Sequence, residues 1–268
     1  MVDIWQETHT LAFRDIDNSD RMTLASAFDY FQEAAINHAE NLAVGREAMA
    51  RTGQIWALSR MSVLVETRPL WKDKIRIRTW PRGGEKLFAL RDYDISIEDA
   101  PMIRGRSGWL ILDMEKRRPL RVQGIMETMP LNENTNALSG IPASLEARES
   151  LALTGERRAS YSDIDYNGHV NNVRYVQWIQ DAMEADLLEH SGGMRLDINY
   201  LREVRLGEII QLWTAPLDMP NAPGSSRESA TDPGEGWDAG IAIEGRQEDG
   251  QGVFRAELRI QRDAKTVL

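Results

Sequence analysis

The chain of 268 residues contains no cysteine and only four histidines. The absence of cysteine excludes disulfides, thiolate metal sites and a cysteine nucleophile, and it fits a reducing compartment, so we expect a cytoplasmic location. No two histidines stand at the spacing of metal ligands. We therefore expect no metal and no cofactor, and any hydrolytic chemistry must depend on water and side chains.

Long apolar runs and an excess of basic charge are also missing. The start of the sequence, MVDIWQETHTLAF, has no basic segment before an apolar run, and no stretch is apolar for the length that spans a bilayer. Acidic residues outnumber basic ones by 42 to 32, which gives a formal net charge of -10. The average field repels nucleic acid, so we expect neither a membrane nor a nucleic-acid partner.

Two common catalytic motifs are absent as well. Ser107 stands in GRSGW rather than in a Gly-x-Ser-x-Gly elbow, and no Gly-rich loop precedes a Lys-Ser or Lys-Thr pair. Serine hydrolases and nucleotide-binding enzymes are therefore disfavoured.

An internal repeat is the main feature that is present. Residues 13–34, FRDIDNSDRMTLASAFDYFQEA, align without a gap with residues 161–182, YSDIDYNGHVNNVRYVQWIQDA, at an offset of 148. Each copy predicts a helix that begins after a capping residue, Thr23 or Asn171. Each helix has an apolar stripe with the helical period, formed by Leu24, Ala27, Phe28, Phe31 and Ala35 in the first half and by Val173, Val176, Ile179, Met183 and Leu187 in the second.

Beyond each helix the apolar residues alternate, which predicts strands. These strands cover residues 61–65, 75–80, 90–97 and 109–114 in the first half and 196–200, 209–213, 239–244 and 254–261 in the second. Each half therefore has the order β-α-β-β-β-β and is of the α+β class, with an antiparallel sheet that wraps one helix. We expect the two half-sheets to join edge to edge.

The predicted organisation has two domains, residues 1–130 and 157–268. Residues 131–156 are expected to form the linker, and residues 216–237, rich in Pro, Gly and Ser, a solvated hairpin loop.

The repeat also provides an internal control, because positions needed only for the fold should be similar in both halves. Asp17 matches Asp165, so this aspartate has a structural interpretation as a turn residue. Three positions differ in chemical type: Ser19, Arg21 and Arg68 in the first half stand opposite Asn167, His169 and Glu203 in the second. The candidate site is therefore Asp165, Asn167, His169 and Glu203, although Glu203 has the alternative of pairing with Arg202 or Arg205.

The segment Asp165-Tyr166-Asn167-Gly168-His169-Val170-Asn171-Asn172 resembles the D-x-N-x-H-V-N-N motif of the bacterial and plant acyl-ACP thioesterases. Further stretches are similar to this family, including WALSRMSVLVETRPLWKDKIRIRTWPRG, RSGWLILDMEKRRPL and INYLREVRLGE, and the resemblance runs from about Trp5 to about Gln261. It implies a double hotdog fold, with the acyl pocket in the N-terminal half and the catalytic residues in the C-terminal half.

The resemblance also implies a function and a set of site residues. The function is hydrolysis of fatty acyl thioesters of acyl carrier protein, and the catalytic residues would be Asp165, Asn167, His169 and Glu203. Plant-type members have cysteine after the glutamate, where this chain has Val204. A Cys-His-Asn nucleophilic mechanism is thus excluded, and water is the expected nucleophile.

Two assignments of the base are open. In the first, Glu203 acts with His169 on a water held by Asn167, while Asp165 orients Asn167 or the turn; in the second, His169 is the direct base. Backbone N–H groups near Val170 and Asn171 are expected to receive the oxyanion.

Several alternatives about partners and substrates are also open. A thioesterase acting on acyl-coenzyme A needs the same hydrolytic groups, and a hotdog domain can also be a non-catalytic acyl-binding module. The expected carrier is acidic, so it would need a local basic patch; the densest basic runs are Lys116, Arg117, Arg118 and Arg121, and then Lys72, Lys74, Arg76 and Arg78. Met22, Met49, Trp56 and Met61 are either pocket or plain core residues, and a homodimer is an assembly that the sequence leaves open.

Overall fold

The computed structural model describes residues 2–116, 118–218 and 236–263. The elements of its first half are β1 (Trp5–Thr10), α1 (Leu24–Asn41), α2 (Arg46–Arg51), β2 (Gln54–Val65), β3 (Lys74–Glu85), β4 (Phe88–Ile97), β5 (Ala100–Asp113), β6 (Arg118–Leu120) and α3 (Gln123–Met126). The elements of its second half are β7 (Ala152–Arg158), α4 (Asn172–Asp181), α5 (Ala185–Glu189), β8 (Ser191–Tyr200), β9 (Ile209–Pro216), β10 (Ala239–Arg246) and β11 (Gly252–Arg262).

The strands form one antiparallel sheet in the order β1-β3-β4-β5-β2-β8-β11-β10-β9-β7, with β6 paired to β5. The two halves meet where β2 pairs with β8, with Met61 opposite Ile198 and Val63 opposite Leu196. These side chains are buried, and α1 and α4 pack against each other over the same face of the sheet. The predicted α+β class and the edge-to-edge joining of the half-sheets are therefore confirmed.

Both helices begin at the predicted capping residues. The Thr23 hydroxyl accepts a hydrogen bond from the amide of Ser26 at 3.1 Å, and the Asn171 side-chain oxygen accepts one from the amide of Val173 at 2.9 Å. Each cap satisfies one of the amides that a helix start leaves without an intrahelical partner. The apolar stripe of α1 is buried in the main core, as its spacing predicts.

Several predicted elements have other limits in the structure; β2 and β8, for example, begin at Gln54 and Ser191, before the predicted strands at 61–65 and 196–200. The apolar stripe of the second helix was expected to continue to Leu187, but α4 ends at Asp181, and the extended backbone of Glu184 (φ -65°, ψ 128°) separates it from α5. Strand β5 begins at Ala100, nine residues before the predicted strand. Its first part, APMIRGRSG, was missed because its arginines and small residues hide the alternation of a strand.

The linker crosses the outer face of the sheet and bonds to both halves. The indole N–H of Trp80 donates to the carbonyl oxygen of Thr135, and the amide of Ala137 donates to the buried Asp92 carboxylate. Farther along, the amide of Leu145 donates to Asn199 at 2.8 Å in the second half. The expected linker limit at residue 156 falls inside β7, and the domain limits remain predictions. Of the expected loop at 216–237, residues 219–235 lie outside the described residues.

Arg68 joins the two halves on the side of the α1 start. Its guanidinium donates to the carbonyl oxygens of Met22 in the first half and Leu188 in the second, both at 2.8 Å, and pairs with Asp17. Burial alone would raise the pKa of Asp17, but hydrogen bonds from Ser19 and Arg68 hold it below its usual value. The side chain of Arg68 is 2% exposed, so the pair is largely removed from water.

We predict that Arg68→Met destabilises the fold strongly. The substitution removes the cation paired with the Asp17 carboxylate and the hydrogen bonds that Arg68 donates to the carbonyl oxygens of Met22 and Leu188. Loss of one partner of a buried ion pair typically costs about 3–5 kcal/mol of the free energy of unfolding. Urea denaturation followed by circular dichroism measures the change. The control is Arg14→Met, because Arg14 is 85% exposed and lies 3.7 Å from Asp15; this variant should lose at most about 1 kcal/mol. Equal losses in both variants would contradict the role assigned to Arg68.

Candidate active site

The candidate site begins with a tight turn between Asp165 and His169. The amide of Asp165 donates to the carbonyl oxygen of His169 at 2.8 Å, and the amide of Gly168 donates to that of Asp165 at 3.0 Å. The Asp165 carboxylate accepts the amide of Asn167 at 2.7 Å and lies 3.4 Å from its side-chain nitrogen. Asp165 therefore stabilises the turn and orients Asn167.

A second segment, residues 201–207, holds Glu203 against this turn. The amide of Val170 donates to the carbonyl oxygen of Val204 at 2.8 Å, while the Val204 side chain is fully buried in the main core. The neighbouring side chain of Glu203 lies outside, with its Oε2 atom 3.0 Å from His169 Nε2. The ring of His169 is 23% exposed and the carboxylate of Glu203 is 64% exposed, so both are open to a substrate or to water.

The structure thus brings the four predicted residues into one connected surface site. Glu203 pairs with His169; neither Arg202 nor Arg205 forms an ion pair with it within the described part of the chain. Asp163, in contrast, accepts the amide of Ser160 through its carboxylate, which is a structural role in the preceding turn.

The prediction that the backbone amides near Val170 and Asn171 receive the oxyanion is wrong, because both of these amides already donate hydrogen bonds within the chain. The amide of Val170 is bonded to Val204, and the amide of Asn171 is bonded to the carbonyl oxygen of Asp163 at 2.8 Å. Sequence spacing alone does not show this, because the Val204 carbonyl comes from a distant segment. Within the described residues the amides of His169 and Asn172 take part in no hydrogen bond, and they flank the same helix start.

The first half repeats the backbone of the site without its side chains. The amide of Asp17 donates to the carbonyl oxygen of Arg21 at 3.0 Å, as Asp165 does to His169, and Met22 donates to Pro69 as Val170 does to Val204. Asp20 has a positive φ of 58°, as Gly168 has at 81°. The turn is therefore a property of the fold, whereas the His169–Glu203 pair is specific to the second half.

The first half also contributes to the site, which the sequence did not reveal. The guanidinium of Arg46, at the start of α2, lies 4.2 Å from the ring centroid of Tyr166 in the turn. The sequence contains both an arginine and an aromatic residue at these positions, but no pattern in it predicts that they are in contact across the two halves. It places α2 directly beside the candidate site.

A cavity of about 390 Å³ lies on the first half between α2 and α3. Its apolar lining includes Val44, Ala48, Met49, Ile111, Leu120 and Ile125. Of the four residues considered for a pocket, Met49 lines this cavity and Trp56 packs against the small hydrophobic cluster around it. Met22 and Met61 instead belong to the main core.

The described residues contain no group of three or more His, Asp and Glu side chains placed to hold a metal ion. Among these same residues, no helix combines the length and the apolar character needed to cross a bilayer.

Comparison with known proteins gives the family. A family model described as the acyl-ACP thioesterase N-terminal domain matches residues 3–127, and one described as the acyl-ACP thioesterase C-terminal domain matches residues 148–258. The chain belongs to the acyl-ACP thioesterase family. The two matched ranges together cover most of the sequence and correspond to the two repeated halves.

Curated relatives of this thioesterase-family chain are chloroplastic plant proteins. A palmitoyl-acyl carrier protein thioesterase of Gossypium hirsutum is 26% identical over 250 residues, which cover 87% of this chain and 58% of that protein. Oleoyl-acyl carrier protein thioesterase 1 of Arabidopsis thaliana is 23% identical and is covered to 68%. The chain spans little more than half the length of most of the relatives it matches.

Solved structures support the double hotdog fold. An acyl-ACP thioesterase from Bacteroides thetaiotaomicron superimposes with a TM-score of 0.76 at 20% identity, covering 97% of this chain and 98% of that one. The 12:0-ACP thioesterase from Umbellularia californica has the same TM-score and identity, with 97% and 94% covered. The predicted fold is therefore confirmed over both halves.

We predict that the turn tolerates asparagine at Gly168 better than valine. A Cβ atom there would meet no other atom within 4 Å, so the positive φ alone sets the cost. Gly168→Val should lose about 1–2 kcal/mol of the free energy of unfolding, and Gly168→Asn less, because Asp20 adopts the same conformation in the first half. Urea denaturation of both variants measures the difference. Equal losses would show that backbone conformation does not limit this position.

Proposed function

We propose that this chain hydrolyses fatty acyl thioesters of acyl carrier protein, releasing a free fatty acid and the holo-carrier. The observation that carries the proposal is the contact between His169 and Glu203 at 3.0 Å, in an exposed site formed by the family motif. Membership of the acyl-ACP thioesterase family supports the substrate class. The names of curated relatives state thioester hydrolysis on acyl carrier protein for those proteins.

The proposed chemistry uses water as the nucleophile. Water attacks the thioester carbonyl carbon as one of its protons passes to Glu203, whose carboxylate is more exposed than the His169 ring. His169, whose Nε2 atom lies 3.0 Å from Glu203 Oε2, orients the carboxylate. The tetrahedral intermediate then expels the thiolate, which takes up the proton, so that one water and one thioester give one acid and one thiol.

The remaining groups position the reactants. We assign the developing oxyanion to the unbonded amides of His169 and Asn172, because a helix start stabilises negative charge. Asn167, held by Asp165, is placed to hydrogen-bond the attacking water. The alternative base, His169 itself, requires the same contact and differs only in which group receives the proton.

We predict that Glu203→Gln and His169→Ala each lower kcat by about a hundredfold or more, because the first removes the proton acceptor and the second removes the side chain that orients it. Steady-state release of thiol from an acyl carrier protein thioester measures the effect. Glu248→Gln is the control, since Glu248 is an exposed carboxylate in the turn between β10 and β11. A folded Glu203→Gln variant with the turnover of the unmodified chain would remove Glu203 from the mechanism.

We assign the acyl chain to the cavity between α2 and α3. Its volume lies within the usual range of small-molecule pockets, its lining is mainly apolar, and Arg46 on α2 contacts Tyr166 in the active-site turn. A hydrocarbon chain is stabilised there by removal of its surface from water.

Ala48→Phe, which fills the cavity, should therefore shift the released fatty acids to shorter chains. The matched control is Ala50→Phe, the same substitution at an exposed position of α2 outside the cavity. Mass spectrometry of the products distinguishes the two. An unchanged product profile in Ala48→Phe, with the fold intact, would show that the acyl chain binds elsewhere.

The competing substrate is acyl-coenzyme A, for which the same hydrolytic residues suffice. Side-by-side kcat/KM values with one acyl chain on both carriers decide between them, and the proposal requires the higher value with acyl carrier protein. A non-catalytic acyl-binding role would give ligand binding without turnover. The expected cytoplasmic location and a homodimer remain predictions.

A further inference from the structure

The rim of the active site carries three exposed arginines, Arg46, Arg202 and Arg205, none of which forms an ion pair within the described residues. Exposed apolar side chains, Leu201 and Leu206, stand beside the two on the loop. We propose that this rim, defined as Arg46 and residues 201–206, is the surface on which the acidic carrier protein docks. The inference rests on the proposed function and adds the place where the partner binds.

The loop part of the rim is held in place by its backbone. The amides of Leu201 and Arg202 donate to the carbonyl oxygen of Val253 at 2.8 and 3.1 Å, and the amide of Gly207 donates to that of Ala159 at 2.8 Å. The buried Val204 fixes the middle of the segment in the core. A preorganised loop loses little conformational entropy when a partner binds, which suits a docking surface.

The first half shows that the fold does not require these arginines. In the aligned segment 66–72, Thr67 stands opposite Arg202 and Leu70 stands opposite Arg205. That segment makes the same backbone contact to its turn, through Met22 and Pro69, without either cation. The two arginines are therefore additions to the half that holds the catalytic pair.

The other basic clusters are less suited to an acidic partner. Arg76 pairs with Asp99 at 3.0 Å and Arg78 with Asp94 at 2.6 Å, so their charges are largely neutralised within the chain. The hydrogen bonds that Arg78 donates to Asp94 raise the pKa of Arg78, as expected for a paired guanidinium. Lys116 lies 3.8 Å from Asp113. Arg118 is exposed and does not line the cavity assigned to the acyl chain, so it provides the control for the test together with the exposed Arg14.

The chain has a net charge of -10, so an acidic carrier protein needs a local positive surface, which the arginines of the rim provide. At physiological ionic strength charges act over about 8 Å, so a carrier near the surface responds to the local arginines more than to the distant net charge. Attraction at the rim also orients the carrier with its thioester arm next to Glu203. The neighbouring leucines then add apolar contact once the carrier is bound.

The test compares an acyl carrier protein thioester with the same acyl group on pantetheine, which lacks the protein. In the variant Arg202→Gln/Arg205→Gln, we expect the KM for the acyl carrier protein thioester to rise by about fivefold or more and to depend less on salt, while kcat/KM for acyl-pantetheine stays unchanged. Arg14→Gln/Arg118→Gln is the matched control and should change neither, because both arginines are exposed and neither lines the cavity assigned to the acyl chain. Arg46→Gln, measured alone, should raise the KM for the carrier thioester by a larger factor than it changes kcat/KM for acyl-pantetheine.

Three outcomes would overturn the proposal: an unchanged KM for the carrier thioester, an equal loss with both substrates, or the KM increase in the control variant instead. Failure of the proposed function is distinguishable, because the unmodified chain would then not hydrolyse the acyl carrier protein thioester. In that case the dissociation constant of a bacterial holo-acyl carrier protein, measured by calorimetry with the same variants, decides the docking surface by itself. No binding, or binding unaffected by Arg202→Gln/Arg205→Gln, would refute it.

Discussion

The antiparallel pairing of β2 with β8 is the constraint on which the rest of the structure depends. Met61 and Val63 lie opposite Ile198 and Leu196 on the helix side, while Ser62 donates to the buried Asp197 on the outer side. A slip of one residue would turn the apolar side chains outward and bury the polar ones, so burial fixes the register. The register in turn sets α1 beside α4. It also brings each turn to the short helix of the other half, with Asn18 bonded to Glu189 and Tyr166 stacked against Arg46.

This arrangement provides two equivalent positions that the sequence uses in opposite ways. At one of them Arg68 is buried and bonds to both halves, which stabilises their association. At the other position Glu203 is exposed, and His169 is its ion-pair partner among the residues that the structure describes. Such a pair contributes little to stability in water but leaves both side chains accessible. A buried charge at the second position would block access, and an exposed one at the first would leave the halves less firmly joined. The duplication therefore separates a structural task from the catalytic one that we propose for Glu203, on the same backbone.

The repeat explains why much of the structure was predictable from sequence. Capping by Thr23 and Asn171, the apolar stripe of α1 and the alternation in β2 and β8 are local patterns that directly reflect burial and hydrogen bonding. The same comparison placed Asn167, His169 and Glu203 in one half, and the structure brings them together. What local patterns missed depends on distant partners: the amides of Val170 and Asn171 are occupied by carbonyl oxygens of other segments. Arg46 and the cavity beside α2 are likewise products of tertiary packing.

The position after Glu203 shows why the chemistry depends on an outward-facing carboxylate. In this loop successive side chains point to opposite sides, so that Glu203 faces the turn while Val204 is fully buried in the core. The carbonyl of Val204 also accepts the Val170 amide, which fixes the distance between loop and turn. The side chain at position 204 therefore anchors the loop in the core. Because it points into the core, a side chain at this position cannot reach the carbonyl of a thioester bound beside His169. Activation of water by the exposed pair is consistent with this geometry, and the burial of Val204 is what holds the pair in place.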